Sequence, residues 1–269
     1  MEDVKPTQIT LAQDGDAGAL EGLVRSIQDR VYRLALRMLA DPIAAQDATQ
    51  EILIRIVTKL STFRGESKFG TWVYQVAINY LLTARKVIAT DPSLSFEMFS
   101  EDLLNGLADE QHMAPEDHIL INELRLKCTL AMLLCLDRDH RAAYVLGEIL
   151  EFDHGEAAEV LGIKSANFRK RLSRARNCVQ DFTAKSCGLA GKAAACSCQK
   201  RLPAAISSGR IGPSVTEAFD DAPTMTDVEI MVASTQANLI TAKLQRATGS
   251  LTSKIDFARE VLKVVDPPI

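Results

Sequence analysis

FDHGEAAEVLGIKSANFRKRLSRAR, residues 152–176, reads as two short helices joined by a tight turn. Asp153 is placed to cap the first helix, which turns Ala157, Ala158, Val160 and Leu161 inward. Gly162 ends it, because glycine enters the left-handed region at little cost, and Ile163 plugs the corner. The second helix starts near Ser165 and buries Phe168, Leu172 and Ala175, spaced along one helical face. Its other faces carry Asn167, Arg169, Lys170, Arg171, Arg174 and Arg176. Lys164 to Arg176 holds six basic residues and no acidic one. A charged helix on an ordinary bundle can look basic too. Here a capped helix, a turn glycine, an apolar plug and one-sided charge occur together, which fits a helix-turn-helix that enters a DNA major groove.

Outward from that stretch, 269 residues leave room for about two domains of ordinary size. The chain is 47% hydrophobic but only 5% aromatic, which favours helices over sandwiches or barrels, so the fold class is all-α. Net charge is −4, so any hold on nucleic acid must come from local patches. The acidic start, MEDVKPTQIT, lacks a signal-peptide pattern, and no apolar run is long enough to span a membrane. The expected location is the cytoplasm, with the six cysteines mostly reduced. Cys128 and Cys135, in an apolar helix, read as small core residues.

The first helix runs from about Asp16 to Leu39 on a continuous apolar stripe. Asp41-Pro42 opens a second, to about Leu60, with Ile52, Leu53, Ile56 and Val57 inward and Asp47, Gln50 and Glu51 outward. FRGESKFGTW, residues 63–72, is a polar loop with two glycines. A third helix, from about Thr71 to Lys86, buries Val73, Val76, Ala77 and Tyr80 and offers Gln75 and Asn79 to solvent. Trp72, beside that stripe, reads as core packing. Between Lys86 and Arg125 there is no Lys or Arg and there are nine acids, a linker with a short helical piece around Phe96 to Leu107. Asp137 caps a helix carrying Ala142, Val145, Leu146 and Ile149. Near the end, Thr226 with Glu229 reads as a capping box opening a helix to about Arg246, and Gly249 separates it from a last helix over Ser253 to Val264. The resulting divisions are a tail (1–15), a first helical domain (16–88), an acidic linker (89–114), a second helical domain (115–182) and a cysteine-containing extension (183–269).

DPIAAQDATQEILIRI, then FRGESKFGTWVYQVAIN, an acidic linker and the helix-turn-helix block together resemble an extracytoplasmic-function sigma factor of bacterial RNA polymerase, over about residues 16–182. The order of the blocks is more specific than any one of them. The resemblance implies a non-enzymatic initiation factor. Its first domain would bind the polymerase clamp and open the minus-ten element, and its second would read the minus-thirty-five element. Asp47, Gln50, Glu51 and Arg55 would then contact the clamp. Arg64 to Lys68 would hold a base turned out of the non-template strand, and Gln75 and Asn79 would lie against the opening duplex. Lys164, Ser165, Asn167, Arg169, Lys170, Arg171 and Arg174 would meet the upstream element. The implied partners are core RNA polymerase, promoter DNA with its melted strand, and an anti-sigma protein as a further candidate. The acidic linker would either mimic nucleic acid in the polymerase channel or serve as a plain tether.

The physics of each assignment agrees. Asp47 and Glu51 lie one turn apart, an acidic patch suited to a basic partner, or else a solvated face. A glycine-containing polar loop can form a pocket for an unstacked base. Three positions depart from the family pattern: Gly70 replaces a basic residue, Thr83 an acid and Ala157 a larger aliphatic. They bear on promoter sequence and melting, not on the class. In the extension, Cys187, Cys196 and Cys198 form a C-x8-C-x-C cluster downstream of Cys178. It is either a zinc or other soft-metal or redox site, or a structural connector with a local disulfide or free thiols. Two rival readings remain: a helix-turn-helix regulator acting without polymerase, and a metal or redox sensor centred on these cysteines.

Overall fold

The computed structural model describes residues 4–89, 91–92, 94–108, 117–211 and 222–265. The expected start of the second domain near Pro115, and the linker acids Asp109, Glu110 and Glu116, lie outside them. The described residues form α1 (Pro6–Gln13), α2 (Ala17–Leu39), α3 (Pro42–Thr58), α4 (Phe69–Thr83), α5 (Arg85–Ala89), α6 (Phe96–Leu104), α7 (Asp117–Leu134), α8 (Arg138–Tyr144), α9 (His154–Val160), α10 (Ser165–Ser186), α11 (Cys198–Ser207), α12 (Met225–Ala233), α13 (Ala237–Arg246) and α14 (Phe257–Val265). Among them there is no strand, as the composition requires. The chain divides into two compact units: residues 1–91, 152–169 and 251–269, and residues 92–151 with 170–250.

In the first unit, Asp16 caps α2 by accepting from Ala19 N at 2.6 Å, and Asp41 caps α3 by accepting from Ala44 N at 2.7 Å. The two helices bury Leu23, Val24, Ile27, Ile52, Leu53 and Ile56. The segment before Asp16 is no loose tail. Ile9 and Ala12 of α1 are buried, and Gln13 donates to Leu60 O and Phe63 O, both at 2.9 Å. The third helix is shorter than its periodicity suggests. Ala84 adopts an extended conformation (φ −66°, ψ 126°), ending α4 before α5 begins. Trp72 is half-buried between Phe63 and Phe69, at ring-centroid distances of 5.5 and 5.8 Å.

The last helix belongs to this unit. α14 buries Phe257, Ala258 and Val261. Arg25 of α2 forks onto Asp256 at 3.0 and 2.9 Å, Ala258 N donates to Gln28 Oε1 at 3.1 Å, and the Tyr32 and Phe257 rings lie 6.1 Å apart. On α3, Gln46 reaches Ser253 at 3.4 Å. The 183–269 extension is therefore not one body: its final segment joins the helices at the front of the chain, and the rest joins the second unit.

In the second unit the acidic stretch is folded where it is described. Ser95 caps α6, and Phe99 and Phe182 stack at 5.4 Å and 15°. Asp102 accepts from Arg201 at 3.0 Å and also binds Arg210, while Glu123 pairs with Lys127 at 2.7 Å and is buried. These two acids are bound inside the unit and are not free to imitate a phosphate chain. The Arg210 and Arg201 hydrogen bonds and charges hold the Asp102 carboxyl below the usual carboxylate range. Because the folded value is the lower one, its stabilisation is present above the ordinary carboxylate value and lost as pH falls through the depressed one. Acidification from about pH 5 to about pH 3 should lower the melting temperature of the native chain more than that of Asp102→Asn. An equal loss would place the acid sensitivity elsewhere.

Two sequence expectations near the end are corrected. The capping box is formed by Thr224 with Asp227, not by Thr226 with Glu229: Thr224 Oγ1 accepts from Asp227 N at 3.2 Å and Asp227 Oδ2 accepts from Thr224 N at 3.1 Å. The helix it opens also stops at Ala233. Ser234 and Thr235 turn their hydroxyls onto Met231 O at 3.0 and 2.5 Å, an alternative that hydroxyl side chains offer the backbone, and α13 restarts at Ala237. α11, within the cysteine-containing extension, is a further helix capped by Ser197. Arg125 ties α7 to this tail, donating to Ala247 O at 2.7 Å and Pro223 O at 3.0 Å. Burial pulls its pKa down to about 10.

Candidate nucleic-acid and polymerase interfaces

The helix-turn-helix forms as its residues dictate. Asp153 accepts from Gly155 N at 2.7 Å, and that bond, with those from Glu156 N and His154 N, holds its carboxyl below the usual range. Gly162 sits at φ 62°, Ile163 N reaches back to Ala158 O at 3.0 Å, and the chain leaves α9 as a glycine-terminated helix should. Ile163 is half-buried; Phe168, Leu172 and Ala175 are buried, with the His154 ring 5.7 Å from that of Phe168.

On α10 the basic residues separate into two groups. Asn167, Arg169, Lys170 and Arg174 are exposed, as is Lys164 just before the helix, and Ser165 is half-exposed within reach of Arg169 at 3.4 Å. Asn167, Lys170 and Arg174 share one face by their spacing of three and four. Arg171 is turned aside, 3.2 Å from Asp139, and Arg176 is bound to Glu148. Arg176 therefore serves the fold. Glu148 also accepts, through its backbone oxygen, from Arg246 at 2.6 Å, and it lies in a π-helical turn, Val145–Ile149.

On α3, Asp47, Glu51 and Arg55 are exposed at i, i+4 and i+8, a single strip, with Gln50 half-buried beside it. Lys86 pairs with Asp47 at 2.9 Å, and the Arg55 guanidinium lies 4.9 Å over the Tyr80 ring. Lys86 of α5 and Tyr80 of α4 thus flank the strip. The loop before α4 presents Arg64 and Lys68, both exposed, with Gly65 at φ 73°. Asn79 is exposed and Gln75 half-buried on α4.

Glu156 of α9 was absent from the sequence reading. It accepts from Thr71 Oγ1 at 2.8 Å and stands 3.7 Å from Lys68 Nζ, while Phe152 meets Tyr74 edge-on at 4.9 Å. The first helix of the helix-turn-helix thus rests on the start of α4. No local pattern announces this, because residues 71 and 156 lie far apart in the chain.

The family models for Sigma-70 region 2 and Sigma-70, region 4 match residues 23–87 and 126–179. Over 173 residues, 62% of its length, the chain is 31% identical to the RNA polymerase sigma-H factor of Pseudomonas aeruginosa and covers 87% of it. The chain belongs to the RNA polymerase sigma factors, of the extracytoplasmic-function type. It is also 28% identical over 188 residues, 67% of its length, to the ECF RNA polymerase sigma factor SigW of Bacillus subtilis, 97% of which is covered. A solved structure of CnrH in complex with the cytosolic domain of CnrY is similar over 66% of this chain and 94% of its own, at TM-score 0.46 and 19% identity. Region 2 of this sigma factor spans most of α2 to α5, so the strip on α3 and the loop before α4 fall inside it. Region 4 spans the second half of α7 to most of α10 and contains the helix-turn-helix.

The extension of this sigma factor gathers thiols. All six cysteines are free. Cys178 is exposed, but Cys187, Cys196 and Cys198 line a cavity of about 140 Å³, and Cys128 of α7 lines it with them. Burial pushes the Cys196 and Cys198 thiols up to about 11 and about 12. Among the described residues no group of three or more His, Cys, Asp or Glu is placed so that it could hold a metal ion. Among them, too, no helix is long and apolar enough to cross a membrane.

Proposed function

We propose that this sigma factor docks on core RNA polymerase through the α3 strip of Asp47, Gln50, Glu51 and Arg55, and that it acts by binding, without catalysing a reaction of its own. It then engages promoter DNA through two elements. The loop Arg64 to Lys68, with Gln75 and Asn79, receives the opened minus-ten strand. The α10 face of Asn167, Lys170 and Arg174, flanked by Lys164, Ser165 and Arg169, enters the minus-thirty-five major groove. The observation that carries this reading is the presence of both regions in one chain, each with its charged residues on an exposed face. A regulator working without polymerase would leave region 2 without a task. Such work takes place in the cytoplasm, where core polymerase and the chromosome are. The docking of α14 on α2 and α3 supports an internal control of region 2 by the tail, alongside or instead of a separate anti-sigma protein.

The test is run-off transcription: core polymerase with the purified chain should start at defined promoters, and core polymerase alone should not. Failure to associate with the core enzyme would end the proposal. If Arg171 leaves Asp139 to read a base, Arg171→Ala should weaken upstream-element binding by about 1–3 kcal/mol, and Asp139→Asn, which releases the guanidinium, should strengthen it. Lys170→Ala should weaken binding on all sequences and flatten its salt dependence by about one phosphate contact. Unchanged affinity in Arg171→Ala would leave that side chain to the ion pair with Asp139 alone.

A further inference from the structure

α13 lies beyond the residues matched to region 4, yet it is built into that region. Its Ile240 and Leu244 are buried, and so is Gln245, which donates to Thr129 O of α7 at 3.2 Å. Gln180 of α10 donates to Asn238 O at the other end of α13, at 3.0 Å. Arg246, the last residue of α13, turns toward the segment between α8 and α9. Its Nε donates to Glu148 O at 2.6 Å, and its guanidinium pairs with the Glu151 carboxylate at 2.6 Å.

Those two acceptors lie on a turn that local chemistry does not favour. The π-helical turn Val145–Ile149 closes with Leu150 N on Val145 O at 2.9 Å. The last carbonyls of a helix find no partner in a following turn, and a basic side chain can supply one. Arg246 does so for Glu148 O. Glu151 then adopts φ 55°, the left-handed region, where a Cβ crowds the backbone and glycine is the residue at ease. The same turn meets α10, because the Glu148 carboxylate binds Arg176. It also stands at the entry to the helix-turn-helix: Asp153, two residues after Glu151, caps α9.

We propose that Arg246 is a positioning residue for upstream-element recognition: from the extension, it holds Glu151 in the left-handed turn that leads into the helix-turn-helix. This rests on the reading that α10 enters the minus-thirty-five groove. Without support, a glutamate leaves the left-handed region readily, and only molecules with the turn formed can bind the upstream element. A contact that raises that fraction raises the apparent affinity by the same factor. The Arg246–Glu151 pair is exposed, and such a pair alone is worth little. Here it is joined by a bond to a helix-end carbonyl, and both act on one strained residue. The buried side of α13 gives Arg246 a fixed base from which to act. The extension is thereby a working part of the upstream-element reader.

The experiment uses the full chain bound to core RNA polymerase. The native holoenzyme first selects duplexes from a random-sequence pool, and their shared upstream motif is scrambled to make the control duplex. Arg246→Ala should lower the preference for the selected duplex over the control about tenfold, the scale of strain at one left-handed non-glycine residue. Adding Glu151→Gly to Arg246→Ala should bring the preference back to within about twofold of native, because glycine takes this turn unaided. A side chain that served only packing would not be replaced in that way. Association with core polymerase should be equal in all three chains. Native preference in Arg246→Ala would overturn the proposal, as would a loss that the glycine leaves unrepaired. If the native holoenzyme selects no upstream motif, the reading of α10 fails first and the proposal falls with it.

Discussion

Replacing Asp47 and Glu51 together with lysine is expected to abolish association with core RNA polymerase, by about a hundredfold or more in affinity. Like charges set against one another across an interface cost several kcal/mol, whereas the native pair offers a basic partner two carboxylates one helical turn apart. Both side chains are exposed, so the fold should survive the change. The ion pair of Asp47 with Lys86, lost in the change, is exposed on both sides and adds little to stability. It is also the contact that a polymerase cation would replace. Co-elution with core polymerase checks the first outcome and thermal melting the second. Binding at native strength would remove the α3 strip from the interface and move the docking surface elsewhere on region 2.

The second large effect is on stability. Phe168 is wholly buried at the start of α10, with the His154 ring against it. Truncation to alanine leaves a cavity where a close-packed ring stood and should cost about 3–5 kcal/mol. Upstream DNA binding should fall with it, because Asn167, Lys170 and Arg174 are held in one row only while α10 stays docked. Chemical denaturation of Phe168→Ala measures the loss. Lys170→Ala, exposed on the same helix, serves as the comparison: it should melt like the native chain and still bind DNA less well. If the two variants lost equal stability, the ring would not be the anchor its burial implies.

Local chemistry accounts for much of this molecule. The caps at Asp16, Asp41, Asp137 and Asp153, the left-handed Gly162 and the row Phe168, Leu172, Ala175 follow from residues a few positions apart. Side chains three and four apart share a helical face whatever the rest of the chain does. The order of the two regions, and with it the family, follows from the same short-range patterns read in sequence. Where side-chain hydroxyls compete with the backbone, that reasoning misplaces a boundary, as at Ser234 and Thr235. The capping box shows a related limit: two Thr-x-x-acid pairs overlap, and the one that forms depends on which threonine stands where the helix begins.

What only the tertiary structure decided are the pairings of distant residues. Glu156 holds Thr71 and Lys68, Asp102 is held by Arg201 and Arg210, Arg171 leans on Asp139, and Arg25 grips Asp256 to seat the last helix on the first. A carboxylate has no periodicity that names its partner, and the chain between two partners can take many paths. The same holds for Cys128. From its neighbours it is a small apolar residue in a helix, and only the tertiary fold makes it line one cavity with Cys187, Cys196 and Cys198. Short-range sterics and apolar spacing wrote the helices into the sequence, but the meeting of one helix with another is fixed by the packing of the whole chain.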